Sequence, residues 1–215
     1  MGNPDTGAGS RKRLEKQNRY RPMTTDTEDR KNRGLVLWLT GLSSSGKTTL
    51  SLELEREMKL RGCRVEILDG DLVRKSLSKG LGFSREDRDT NIRRIGFVAN
   101  LLSRNGVVVI VAAISPYRAA REEVRRMVEN TFVEIYLNAP LEICEARDPK
   151  GLYAMARAGE LRAFTGVDDP YEEPLNPEIV CYTAEEKIAQ SVSKIMAHLE
   201  EMEYVPVKLQ LEYFI

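Results

Sequence analysis

The chain has 215 residues, with 33 Lys and Arg balancing 33 Asp and Glu, 41% hydrophobic residues and three cysteines. That length bounds it to one domain with appendages, and zero net charge speaks against a general nucleic-acid binder. Cys63, Cys144 and Cys181 give neither a disulfide framework nor a zinc spacing, which fits a reducing compartment, and the longest apolar run, Val107 to Ile114, is too short to span a bilayer.

Residues 1–33 carry nine Lys and Arg against five Asp and Glu, leaving the remainder at 24 against 28. With few apolar side chains to bury, this stretch reads as a mobile polar arm. Order is expected from Gly34. Leu35 to Leu39 is a continuous apolar run, the mark of a strand covered on both faces. A helix follows with Leu50, Leu54 and Met58 on one stripe, stopped by Gly62. Arg64 to Leu68 is a short strand ending at Asp69. Ser84 and Asp87 form a capping box for a helix striped with Ile92, Ile95, Val98, Ala99 and Leu102. Val107 to Ile114 is the most apolar strand, and Pro116 is expected to open the next helix, with Ser115 as its N-cap. Phe132 to Leu137 and Ile179 to Tyr182 are further strands, with a helix from Pro140 between them. Thr183, with Glu186 three residues on, is expected to cap the last long helix. Strands alternating with helices predict an α/β domain with a mainly parallel five-stranded sheet and right-handed crossovers. From Tyr204, Val205, Val207, Leu209, Leu211 and Tyr213 alternate with polar residues, the pattern of a half-buried edge strand.

Ligands of such a sheet gather outside the carboxyl ends of its strands, where Gly41, Asp69 and Ser115 all fall. Gly41-Leu42-Ser43-Ser44-Ser45-Gly46-Lys47-Thr48 matches the phosphate-loop pattern between a strand and a helix, the context that motif requires. Its backbone N–H groups suit phosphate oxygens. Lys47 suits the β- and γ-phosphates of a nucleoside triphosphate, and the Thr48 hydroxyl suits Mg²⁺. No guanine-specific Asn-Lys-x-Asp follows. Asp69-Gly70-Asp71-x-x-Arg74 instead suits a kinase for a small anionic acceptor, one carboxylate taking a hydroxyl proton and the Arg clamping charge. Taken alone, the same residues also read as a turn with Asp71 as a helix cap.

Five blocks in order resemble one family, the adenylylsulfate (APS) kinases. They are Asp69 to Arg74; Leu81-Gly82-Phe83-Ser84 with Asp87-Arg88 and Asn91 to Arg94; Ile114 to Arg118; Ala146 to Tyr153; and Phe164 to Asp168. The resemblance runs from about Gly34 to Met202. It implies a nucleotide-kinase-like P-loop fold, transfer of phosphate from ATP to the 3′-hydroxyl of APS to give 3′-phospho-APS (PAPS), Mg²⁺, a cytoplasmic setting, commonly a homodimer, and ATP sulfurylase as a functional partner. By resemblance, residues 41–49, including Thr49, hold ATP with Arg147 over its purine. Asp71 orients and deprotonates the acceptor hydroxyl, and Asp69 supports the metal's water shell. Arg74, Arg88 and Asn91 hold the APS phosphosulfate and ribose, Phe83 and Phe164 sandwich its adenine, Ile114 and Ser115 line its site, and Lys150 bridges the two substrates. Residues 147–175, rich in Gly, Pro and charge, read as a lid. The family's loop usually has Gly where this chain has Ser44. Ser115 carries two readings, a phosphoserine intermediate or a purely structural residue beside direct transfer; with no base near it in sequence, direct transfer is expected. Kinases for other small acceptors and a catalytically silent nucleotide-binding subunit remain the rival classes. His198 is expected at the surface, and the cysteines and Trp38 in packing roles.

Overall fold

A computed structural model describes residues 34–207. The N-terminal arm and the tail beyond Val207 lie outside the described residues.

The elements are β1 (Leu35–Thr40), α1 (Lys47–Leu60), β2 (Val65–Asp69), α2 (Gly70–Lys75), α3 (Arg85–Arg104), β3 (Val108–Ala112), α4 (Arg118–Met127), β4 (Thr131–Asn138), α5 (Leu141–Arg147), α6 (Leu152–Arg157), β5 (Ile179–Tyr182) and α7 (Ile188–Glu201). The five strands form one all-parallel sheet in the order β2-β3-β1-β4-β5. β1 is central, which explains its unbroken apolar run: successive side chains face opposite sides, and both sides are covered. Leu35, Leu37 and Leu39 pack with Leu50, Leu54 and Met58 of α1 and Val192, Ile195 and Leu199 of α7. Val36 and Trp38 pack on the other face with Ile92, Ile95 and Ala99 of α3 and Val124 of α4. The α3–α4 contact depends on Gly96, where a Cβ would sit 2.6 Å from Val124 Cγ2.

The five strands predicted for the sheet are all present within a residue or two of their expected bounds. Three helix starts differ, two of them for a tertiary reason. The Ser84 cap holds, accepting from the Asp87 N–H at 3.1 Å. The helix after β3, however, begins at Arg118 rather than Pro116, because the Ser115 and Pro116 carbonyls are taken by Arg121 and by the Glu172 N–H. The last helix begins at Ile188, capped at Lys187 with Gln190 as partner; Thr183 is no cap, its hydroxyl donating to the Ser45 carbonyl at 2.9 Å. Asp69, not Asp71, caps α2, accepting from the Asp71 N–H at 2.9 Å.

Residues 147–175 hold α6 and share a small core with Ala139 and Cys144, in which Tyr153 meets Phe164 edge to face at 5.0 Å. Over residues 204–207 the chain is irregular rather than a strand, although Val205 is buried in the core beside α7. Trp38 and all three cysteines are buried, as expected, and His198 is half-buried.

Candidate active site

The carboxyl ends of β1, β2 and β3 open into a cavity of about 1560 Å³. At one end lies the loop between β1 and α1. Gly41 leaves β1 at φ 152°, and a Cβ there would sit 2.7 Å from the Leu137 carbonyl oxygen, so the chain can turn this tightly only with glycine. Ser43 to Thr49 line the cavity, whereas Gly41 and Leu42 lie beneath it. The loop does contain one strained residue: Ser44 has φ 61°, in the left-handed region that a non-glycine residue seldom adopts.

Lys47 is not solvated, as its place at a helix start suggests, but 9% exposed. Its ammonium donates to the Leu42 carbonyl at 2.6 Å, the Gly41 carbonyl at 3.0 Å and Ser45 Oγ at 3.3 Å. Burial pushes its pKa down to about 8 from an ordinary 10.5. The charge is thus held close to the loop backbone, where a phosphate can meet both the ammonium and the N–H groups at the start of α1.

Thr48 Oγ1 donates to Asp69 Oδ2 at 3.0 Å, bringing a hydroxyl and a carboxylate together at the cavity mouth. Two hard oxygens of this kind fit Mg²⁺, which takes few protein ligands and completes its shell with phosphate and water. Among the described residues no cluster of three His, Cys, Asp or Glu gathers as a separate metal cage, and a shared magnesium needs none. Next along the cavity, Asp71 is ion-paired with Lys150, which reaches it from 79 residues away.

The far end is built by side chains from several elements. Arg74 and Arg88 lie over the exposed Phe83 ring, their guanidinium carbons 4.7 and 5.7 Å from its centroid. Burial, and next the like charge of Arg88, lowers the Arg74 pKa. An anion between the two would relieve that repulsion. Arg88 is buried and donates to the Phe83 carbonyl at 2.9 Å, to Thr165 Oγ1 at 3.0 Å and to the Ala163 carbonyl, so it also holds the opposite wall. Asn91 is buried at the cavity surface with its Oδ1 unpartnered, an acceptor open to a ligand donor. The two phenylalanines are unequal: Phe83 is 51% exposed, whereas Phe164 is 8% exposed and packed on Tyr153.

Ser115 lines the cavity with Ile114 but is buried, at φ 43°. Its Oγ accepts from Trp38 Nε1 and donates to Thr40 Oγ1, both at 3.0 Å. Thr40 in turn donates to the Ile114 carbonyl at 2.8 Å. The expectation that Ser115 caps the following helix is therefore corrected: its hydroxyl braces β1 against the end of β3, and none of its partners is a base. Arg147 donates to the Thr183 and Ser44 carbonyls at the loop's edge.

All the predicted site residues therefore meet around one cavity or directly beneath it. Sequence reasoning missed Arg162, Thr165 and Thr183, which also line it. Thr183 was hidden by its resemblance to a cap, and nothing local marks the other two.

The model of the adenylylsulphate kinase family matches residues 33–182. An adenylyl-sulfate kinase of Rippkaea orientalis is 62% identical over 175 residues, covering 81% of this chain and 96% of the relative. Among solved structures, the Mycobacterium tuberculosis APS kinase CysC in complex with AMPPNP and APS superposes with a TM-score of 0.75 at 42% identity, over 78% of this chain and 98% of that one. A gluconokinase from Sinorhizobium meliloti, 18% identical with a TM-score of 0.57 over 80% of this chain and 94% of its own, shares the fold alone.

Proposed function

Because the chain belongs to the adenylylsulphate kinase family, we propose that it transfers the γ-phosphoryl group of ATP to the 3′-hydroxyl of APS, giving ADP and PAPS. The observation that carries this reading is the continuity of the cavity. The phosphate loop lies at one end and the Arg74, Arg88 and Asn91 cluster at the other, with Asp71 between them.

Lys47 and the loop N–H groups bind and orient the triphosphate, with Arg147 beside its nucleoside. Arg74 and Arg88 take the phosphosulfate charge and Asn91 a polar edge of APS. Phe83 stacks on the adenine from its exposed face, and Phe164 closes the other side as a wall of the small core around Tyr153. Asp71 accepts the 3′-hydroxyl proton as that oxygen bonds to the γ-phosphorus and the bond to the β-bridging oxygen breaks, releasing ADP. Lys150 pairs with Asp71 and orients it, and withdraws from it toward phosphate when the substrates fill the site. Mg²⁺, held with the aid of Thr48 and Asp69, supplies charge neutralisation on the phosphates. Transfer is direct, with Ser115 as a structural brace. Residues 147–175 act as the lid that excludes water.

The same reading assigns residues 34–203 to the kinase domain, a cytoplasmic setting, and an ATP sulfurylase as the source of APS. It also assigns a homodimer, for which Phe97 and Leu101, exposed four residues apart on α3, are apolar surface available for burial. No helix among the described residues is long and apolar enough to cross a membrane.

ADP release measured over a panel of acceptors tests the reading. APS should give ADP and PAPS in equal amounts, while nucleosides, nucleoside monophosphates and sugars should give none. Preferred turnover of any other acceptor, or ATP and APS binding without turnover, would overturn it.

A further inference from the structure

We infer that Arg121 is a positioning residue that fixes the acceptor half of the cavity from behind, by holding the Ser115 and Glu172 peptides in one frame. The inference rests on the functional reading above, since the acceptor half is where APS is assigned.

Arg121 lies on α4, is 2% exposed, and does not line the cavity. Its guanidinium donates in three directions: to Glu134 Oε1 at 2.8 Å, to the Ser115 carbonyl at 2.6 Å and to the Glu172 carbonyl at 2.7 Å. Glu134 anchors the fork to β4, which is flanked by β1 and β5. Its second carboxylate oxygen accepts from Arg125 at 3.3 Å.

Of the two peptides held by the fork, that of Ser115 lies in a wall of the acceptor half, and that of Glu172, outside the cavity lining, is joined to the other wall through the segment before it. Ser115 lines the cavity at φ 43°, a conformation that persists in a non-glycine residue only where the surroundings over-determine it. Pro116 next to it has no N–H with which to pin the turn, and its carbonyl accepts from the Glu172 N–H at 2.8 Å. On the other side, Glu172 follows Asp169, whose carboxylate accepts from Tyr117 Oη and whose carbonyl accepts from the Gly166 N–H at 2.7 Å. That bond closes the turn carrying Phe164 and Thr165. One planar cation, together with the Pro116–Glu172 backbone bond, therefore ties the Ser115 wall to the segment that carries the Phe164–Thr165 wall.

A fully buried Arg–Glu pair is a poor device for stability, because desolvation offsets most of its attraction. It is a good device for geometry, because the guanidinium holds its N–H groups at fixed angles. A lysine retains the charge opposite Glu134 but cannot reproduce the three-way fork.

The test compares R121K and the double variant R121M/E134Q, which removes both charges together, with the wild type in the full-length protein. The KM for APS and for ATP, kcat and the melting temperature are measured for each. The APS KM should rise on the order of tenfold or more, as misplaced binding groups predict, while the ATP KM stays near the wild-type value. A merely structural role would lower the melting temperature and the active fraction but leave both KM values alone. Unchanged APS KM in a wild type that turns over APS, an equal rise in both KM values, or loss of the fold in both variants would each overturn the inference. Absence of APS-dependent turnover in the wild type would instead overturn the functional reading.

Discussion

The two halves of the cavity are built in opposite ways. The phosphate half is one continuous stretch, residues 41–49, in which backbone N–H groups and a helix start are available to a phosphate and one lysine folds back onto its own loop. The acceptor half is a set of side chains gathered from α2, α3, the end of β3 and the segment before Thr165, and its walls are tied across long sequence separations by Arg88 and Arg121. A backbone-built site needs only the right turn at the end of a strand, so it recurs on proteins with quite different acceptors. A site built from side chains needs the whole frame, and on the proposed function specificity for the acceptor would reside there.

Substitutions can break this comparison, and the largest effect is expected between the halves. Asp71→Asn keeps shape and hydrogen bonding but cannot take the hydroxyl proton. Turnover should fall on the order of 10²–10⁴-fold with smaller changes in either KM. Steady-state kinetics showing Asp69→Asn to be the more damaging of the two would reverse the roles given to the pair.

In the phosphate half, Lys47→Met should cost about 10²–10³-fold in turnover, the usual loss when one electrostatic contact to transition-state charge is removed. It also carries a pH signature. Between the lowered pKa of about 8 and the ordinary 10.5, the unfolded chain binds more protons than the folded one. The wild type should therefore gain stability, from this group, as pH rises through that window, and the Met variant should lack the gain. Melting curves at about pH 7 and about pH 10 compare the two; identical responses would show that the ammonium is not buried in solution.

Ser115→Ala probes the acceptor half and should act mainly on stability. It leaves the buried Trp38 N–H without its partner, a loss of about 1–3 kcal/mol, readable by denaturant unfolding. Turnover should remain measurable. A phosphoserine trapped at Ser115 in the wild type, forming as fast as the enzyme turns over, would replace the brace with a covalent step.

The smallest expected effect sharpens the view of the loop. Ser44→Gly relieves a left-handed backbone but loosens the unfolded chain, for a net gain of up to about 1 kcal/mol. Thermal melts should show a slight rise. A fall would mean that the Ser44 side chain contributes contacts that offset its strain.

The sequence by itself determined the central strand, the phosphate loop and the sheet, because these depend on local signals. An unbroken apolar run marks a strand covered on both faces, and a glycine-framed loop between a strand and a helix marks a phosphate cradle. The acceptor residues were legible only as ordered blocks resembling a family, since no local rule brings Asn91 beside Phe164. The Ser84 cap was legible locally, but tertiary structure decided that Thr183 and Ser115 brace the site instead of capping helices. Thr183 and Ser115 have the chemistry of N-caps, yet each hydroxyl is taken by a partner more than 70 residues away. Only the folded frame could decide that Lys47 is buried, that Phe164 is a wall while Phe83 is exposed, and that Arg121 serves the cavity without touching it. In each case a polar or aromatic group has several comparable local options, and the choice falls to whichever distant partner the packed sheet brings within reach.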